Sequence, residues 1–279
     1  MLTVSELKVV LVRYDVRPKR YLGQNFLVDQ NIAKKIIQLC GLSEKDCVLE
    51  IGAGLGALTE QLVNLVKEIV AVERDRKLCA ALGDYLSGYD NLKILCADFL
   101  KLDLRQTLGG DLRKIKVIGN LPYYITTPII EKLIEEKDGF DSIFITVQKE
   151  VAQRFCAKPG GKDYGSISCY LQFYMKPNIL FQIGKRAFYP QPKVDSVFLK
   201  LDVLANPPVK VSDCDRFFGI IRSAFGKRRK TILNSLATSK FMKLDKPNLI
   251  TALKRIGINP DARPEQLSLE DFAKIANAI

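Results

Sequence analysis

Asp46-Cys47-Val48-Leu49-Glu50-Ile51, followed at once by Gly52-Ala53-Gly54-Leu55-Gly56-Ala57, decides how this chain folds. A short apolar run closed by glycines reads as a buried strand, and Leu58, Leu62 and Leu65 behind it recur at helical spacing. A second strand, Glu68 to Val72, ends in Glu73, and a third, Leu92 to Cys96, ends in Ala97-Asp98. Strand, helix and strand at this pitch predict βαβ units on a parallel sheet. Upstream, Asp29 to Leu39 reads as a helix, with Gly41 just past its end. Downstream, strands are expected at Val117 to Gly119, Ser142 to Val147, Tyr170 to Met175, Ile179 to Phe181 and Val194 to Leu201. Asn206-Pro207-Pro208 breaks the pattern, and helices follow at Asp215 to Phe225, Thr231 to Leu236, Asn248 to Ile256 and Leu269 to Ile279. The expected organisation is a loosely ordered basic arm over 1–20, an α/β domain over 21–204 and a small all-helical domain over 205–279.

Of the 279 residues, 43 are Lys or Arg and 31 are Asp or Glu, a net charge of +12 that favours polyanionic partners. There is no histidine, which removes Ser-His-Asp and Cys-His catalysis and every His-containing zinc site. The seven cysteines, at positions 40, 47, 79, 96, 156, 169 and 214, are scattered and form no C-x-x-C, so reduced thiols are expected rather than a disulfide framework or a zinc ribbon. The first apolar stretch, Val9 to Val12, is too short for a signal or a membrane span, and no later one reaches the length required. A cytoplasmic protein that works at no membrane is expected.

A Gly-rich turn after the first strand of a βαβ unit lets backbone pass close to a ligand. Gly52-x-Gly54-x-x-Ala57, with Glu73 about twenty positions on to hold ribose hydroxyls, implies an adenosine-type cofactor without saying which. Asp98, at the end of the third strand, suits the adenine edge of that cofactor, and the bland alternative is an N-cap. The deciding segment is Gly119-Asn120-Leu121-Pro122-Tyr123-Tyr124, directly after the fourth strand. It offers an amide oxygen at Asn120, a backbone carbonyl at Leu121 and a ring at Tyr123. Those suit the exocyclic amine of a purine, whose two N–H donors need two acceptors and whose ring needs a stacking surface.

These motifs carry a resemblance. Lys19-Arg20-Tyr21-Leu22-Gly23-Gln24-Asn25-Phe26-Leu27, Glu50-Ile51-Gly52-Ala53-Gly54, Asn120-Leu121-Pro122-Tyr123 and the run from Phe188 through Pro190, Pro192 and Lys193 to Val197 resemble the S-adenosylmethionine-dependent ribosomal RNA adenine dimethyltransferases, over nearly the whole chain. The resemblance implies a Rossmann-like methyltransferase domain followed by a C-terminal helical RNA-binding domain. It implies S-adenosylmethionine contacts at Asn25, Leu27, Gly52, Glu73, Asp98 and Asn120, and a target adenine bound by Asn120 and Leu121 against Tyr123 and Phe188. The loop from Gly52 to Thr59, Lys193 to Val197 and Phe225 to Thr231 look like the small-subunit branch. That branch dimethylates two adjacent adenosines near the 3′ end of 16S rRNA within the small ribosomal subunit or its precursor, whereas the macrolide-resistance branch modifies a large-subunit adenine. The stretch before Arg17 is longer than such proteins usually carry.

The reaction implied is an in-line displacement at a sulfonium methyl that needs no metal and no general base, in keeping with a chain without histidine. Arg222 and the block Lys227-Arg228-Arg229-Lys230 read as cations on a helix start that grip RNA phosphates. A monomer is expected. Three rivals remain at this stage: a NAD-dependent oxidoreductase, which leaves Asn120 to Tyr123 unexplained; a non-catalytic assembly factor, opposed by the intact Gly52, Glu73, Asp98 and Asn120; and a DNA adenine methyltransferase, which Leu121 in place of a second proline disfavours.

Overall fold

The computed structural model describes residues 1–18, 23–109, 115–227, 229–239 and 245–278. Lys19, Arg20, Tyr21, Leu22, Arg228 and Ile279, all named above, lie outside the described residues. The chain divides into two compact units: 1–152 with 178–203, and 153–177 with 204–279. The first unit therefore includes the opening residues, and the second takes in a segment, 153–177, that the expected domain over 21–204 had claimed.

The first unit opens with helix α1 (Val4–Arg13), where a loose arm was expected. Thr3 and Glu6 form a reciprocal capping box, with the Glu6 carboxylate accepting from the Thr3 N–H at 2.8 Å. Leu7 and Leu11 share one face and are buried. Asp15 takes the left-handed conformation at φ 49°, and the reversal lets the Val16 N–H donate to the Leu11 carbonyl at 2.8 Å. Of the cations that suggested a tail, Lys8 and Arg13 are exposed on this helix.

Strand β1 (Phe26–Leu27) and helix α2 (Gln30–Leu39) follow. Asp29 caps α2 by accepting from the N–H groups of Asn31 and Ile32, and Ala33, Ile36 and Ile37 are its buried stripe. Then come β2 (Cys47–Ile51), the short helix α3 (Thr59–Leu62), β3 (Glu68–Glu73), α4 (Arg76–Tyr85), β4 (Leu92–Cys96), α5 (Leu104–Leu108), β5 (Ile115–Asn120), α6 (Thr126–Glu135) and β6 (Phe140–Gln148). Strands β2, β3, β5 and β6 are almost continuously buried, as a parallel sheet covered on both faces requires.

The remaining elements are α7 (Lys149–Phe155), α8 (Ser166–Tyr174), β7 (Met175–Ile183), β8 (Phe188–Tyr189) and β9 (Ser196–Val203), then the helices α9 (Cys214–Phe225), α10 (Ile232–Leu236), α11 (Lys246–Arg255) and α12 (Leu269–Ala278). The main sheet runs β4-β3-β2-β5-β6-β9-β7, parallel from β4 to β6 and antiparallel at β9, while β1 and β8 pair separately. The winding reverses direction between β2 and β5. In open α/β sheets ligands bind at that switch, beyond the carboxyl ends of the strands.

In the second unit the strand expected at Tyr170 to Met175 is helical as far as Tyr174. Aromatic residues at these positions suggested a strand, but Cys169 and Phe173 are buried at helical spacing, and the Phe173 ring lies 5.2 Å from Phe217 and 5.1 Å from Phe218 of α9. Packing overrides β-propensity here. Tyr164, Phe217, Ile221, Ile232, Leu249 and Phe272 belong to the same cluster, which gives this unit a core of its own.

Candidate active site

The carboxyl ends of β2, β3, β4 and β5 surround a cavity of about 440 Å³, the size of a cofactor site. Asn25, Leu27, Gly52, Glu73, Asp98, Asn120, Leu121 and Tyr123 all line it. The topology alone brings these residues together from a span of about a hundred positions.

The loop after β2 is pinned at both ends. The Gly52 N–H donates to the Val72 carbonyl at 2.9 Å, and the Gly54 N–H donates to Glu73 Oε2 at 3.0 Å. Gly52 has φ 76°, and a Cβ there would stand 3.3 Å from the Asn120 carbonyl oxygen, so glycine is needed both for the turn and for the close passage of two strand ends. Glu73 is nearly buried, and its Oε1 accepts from the N–H groups of Arg74 at 2.8 Å and Asp75 at 2.9 Å. Burial raises its pKa, and the three backbone donors oppose that shift.

Glu50 was not singled out in the sequence, although a carboxylate in mid-strand just before the glycines is the available signal. It is fully buried on β2, lines the cavity and accepts from Thr59 Oγ1 at 2.7 Å. Loss of solvent pushes its pKa up to about 7. Asp98 caps and also lines the cavity: Oδ1 accepts from the Leu100 N–H at 3.1 Å, capping the turn after β4, while Oδ2 lies 3.6 Å from Arg74 Nη1.

On the β5 side, Asn120 Nδ2 donates to the Asn25 carbonyl at 3.1 Å. A carbonyl can only accept, so this bond fixes which way the amide is turned and presents its oxygen as the acceptor. Asn25 Nδ2 in turn donates to the Gly23 carbonyl at 3.0 Å. Leu121 is buried, and its N–H donates to the Thr146 carbonyl at 3.1 Å. The Tyr123 hydroxyl pairs with Ser196 Oγ at 2.6 Å, and burial raises its pKa. Tyr124, 41% exposed, also lines the cavity, and its hydroxyl accepts from Arg74 Nη1 at 3.4 Å.

Phe188 does not join this group. Only 4% exposed, it pairs with Leu27 across β1 and β8 and belongs to the same core cluster as Ile183, Ala187 and Phe198. Its ring therefore supports the β1 segment and presents no open face for stacking; an apolar ring next to a strand register is held by the core. Of the basic residues, Arg222 is exposed on α9, and Lys227, Arg229 and Lys230 are exposed in the turn between α9 and α10, not on a helix start, because α10 begins only after its Thr231 cap.

A profile described as ribosomal RNA adenine dimethylase matches residues 16–279. The chain is 43% identical over 274 residues to "Ribosomal RNA small subunit methyltransferase A" of Alkaliphilus oremlandii, covering 98% of this chain and 95% of that one. It is 42% identical over 281 residues to the protein of the same name from Geobacillus thermodenitrificans, covering 99% and 96%. Among solved structures, a dimethyladenosine transferase from Plasmodium falciparum superposes with a TM-score of 0.73 at 26% identity, covering 90% of this chain and 95% of that one.

Proposed function

The chain belongs to the ribosomal RNA adenine dimethylase family, and we propose that it transfers methyl groups from S-adenosylmethionine to the exocyclic amines of two adjacent adenosines near the 3′ end of small-subunit rRNA. The observation that carries this reading is the Asn120 amide, its Nδ2 held by the Asn25 carbonyl, lining the same cavity as Leu121 and the glycines of the β2 loop. The residues present fit the cofactor. Glycine at position 52 keeps the turn close to the Asn120 strand end with no side chain at the cavity edge, and Glu73 and Asp98 put acceptors and negative charge on the cavity lining for a cationic ligand. Each carboxylate oxygen has two lone-pair directions, so Glu73 and Asp98 keep acceptor capacity beyond their backbone bonds.

Bound there, S-adenosylmethionine supplies an electrophilic methyl on a sulfonium that leaves without protonation. The chain provides orientation. Asn120 Oδ1 and the Leu121 carbonyl accept the two amine hydrogens, which favours a pyramidal nitrogen with its lone pair free to attack, while Tyr123 offers the base a ring. The proton can leave late to water, so no basic side chain is needed. Arg222, Lys227, Arg229 and Lys230, with the adjoining Arg228, hold rRNA phosphates. The enzyme acts as a monomer in the cytoplasm, where small subunits assemble; among the described residues no helix is long and apolar enough to cross a membrane.

The test is transfer of labelled methyl from S-adenosylmethionine to small subunits that lack this modification, with large subunits and duplex DNA in parallel. Two neighbouring dimethyladenosines per small subunit are expected. Uptake into large subunits alone would move the chain to the resistance branch, and no uptake with cofactor bound would make it an assembly factor.

A further inference from the structure

Helix α1 lies before the first residue that the family profile matches, yet Leu2 and Leu7 line the same cavity as Gly52, Glu73 and Asn120. Leu7, Leu11 and Val16 are buried in one cluster with Phe26, Leu55, Leu78 and Ala81. Leu55 belongs to the Gly-rich loop, and Leu78 and Ala81 belong to α4, so α1 packs on two elements that shape the cavity. We infer that α1 is a cofactor-site element: it supplies an apolar wall of the S-adenosylmethionine cavity, and its docking sets how fast the cofactor is released. This rests on the reading of that cavity given above.

The way α1 is held makes it a cover rather than a fixed wall. The tethers at its C-terminal end stand in solvent: the Lys77–Asp15 pair, at 2.6 Å, is 52% and 78% exposed, and the Tyr14–Asp84 hydrogen bond is also at the surface, whereas at its N-terminal end the Met1 ammonium pairs with Glu60 in a partly buried contact. Exposed pairs of this kind hold weakly. What keeps the helix down is the burial of Leu7, Leu11 and Val16 together with the Met1–Glu60 anchor, a small contact that can open as a unit while the sheet stays intact. Successive methyl transfers each need spent cofactor to leave and fresh cofactor to enter, and a cover of this size is suited to that exchange.

The test uses the full chain and cofactor alone. Leu11 is buried under α1 but does not line the cavity, so Leu11→Ala weakens docking without changing the lining. It is expected to release S-adenosylmethionine about tenfold faster in stopped flow, with a smaller change in association. Amide exchange along α1 is expected to slow when cofactor is added. A second variant lacking residues 2–16 covers the case in which Leu11→Ala perturbs folding. Wild-type release rates in a folded variant, together with α1 exchange indifferent to cofactor, would overturn the inference. Failure of the wild-type chain to bind S-adenosylmethionine would instead overturn the proposed function.

Discussion

The two sides of the cavity are built differently. On the β2–β3 side the functional carboxylates are tied into the fold: Glu73 accepts three backbone N–H groups and Glu50 accepts from Thr59. On the β5 side Asn120, which lines the cavity, donates its Nδ2 to the Asn25 carbonyl, so its oxygen is the group left to accept. On the proposed function, one side is a tied-down scaffold that binds the cofactor and the other is a set of acceptors for the target amine. Cofactor affinity and turnover should therefore answer to different residues.

The sharpest attack on this contrast is Asn120→Ala. It should lower single-turnover methyl transfer by about 10²–10³-fold, or roughly 3–4 kcal/mol, while calorimetry shows cofactor affinity little changed. Equal losses in both would merge the two sides.

Glu50→Gln probes the scaffold through pH. Burial raises the Glu50 pKa from 4.5 to about 7, so across that interval the folded state retains a proton that the unfolded chain has released. Stability contributed by this group therefore falls as pH rises from 4.5 to about 7, and the burial penalty is complete above that. The Gln variant, which cannot ionise, should be more stable than wild type by up to about 3 kcal/mol at slightly alkaline pH and similar to it in acid, as denaturant titrations would show. A difference independent of pH would refute the assignment.

Gly52→Ala tests whether the two sides share a wall. Its Cβ would meet the Asn120 carbonyl at 3.3 Å in a left-handed backbone, so about 2 kcal/mol of stability and part of the cofactor affinity should be lost together. Glu73→Gln should weaken cofactor binding about tenfold, because an amide cannot accept from all three backbone donors, and leave the rate at saturating cofactor nearly unchanged. The smallest effect is expected from Tyr123→Phe, which removes the hydrogen bond to Ser196 Oγ and should cost about 1 kcal/mol in thermal unfolding while preserving the ring.

The βαβ core and most of the cavity were legible in the sequence because both depend on short-range patterns: an apolar strand, a turn that only glycine allows, and an acidic or amide residue at the strand end. Gly52, Glu73, Asp98 and Asn120 converge as those patterns predict, and Asn25 joins them as the resemblance implied. What the sequence hid depends on tertiary packing. Helix α1 looked like a basic tail because Leu7 and Leu11 stand among cations and outward-facing valines, and only the partner cluster shows that they are buried. Residues 170–174 looked like a strand because aromatic residues favour sheets, until α9 gave their rings a helical packing surface. Phe188 fitted a motif whose chemistry suggested stacking, yet the β1–β8 register places it in the core. Glu50 read as one letter of an apolar run, and its consequence appears only with its burial.

The division of labour across the cavity is tested most directly by a double-mutant cycle on kcat/KM for S-adenosylmethionine, using Asn120→Ala, Glu73→Gln and the double variant with small-subunit acceptor. Separate roles predict that the two losses multiply to within about twofold. A double variant no worse than Asn120→Ala alone would show that both residues act through one interaction, and the distinction between a binding side and an orienting side would fall.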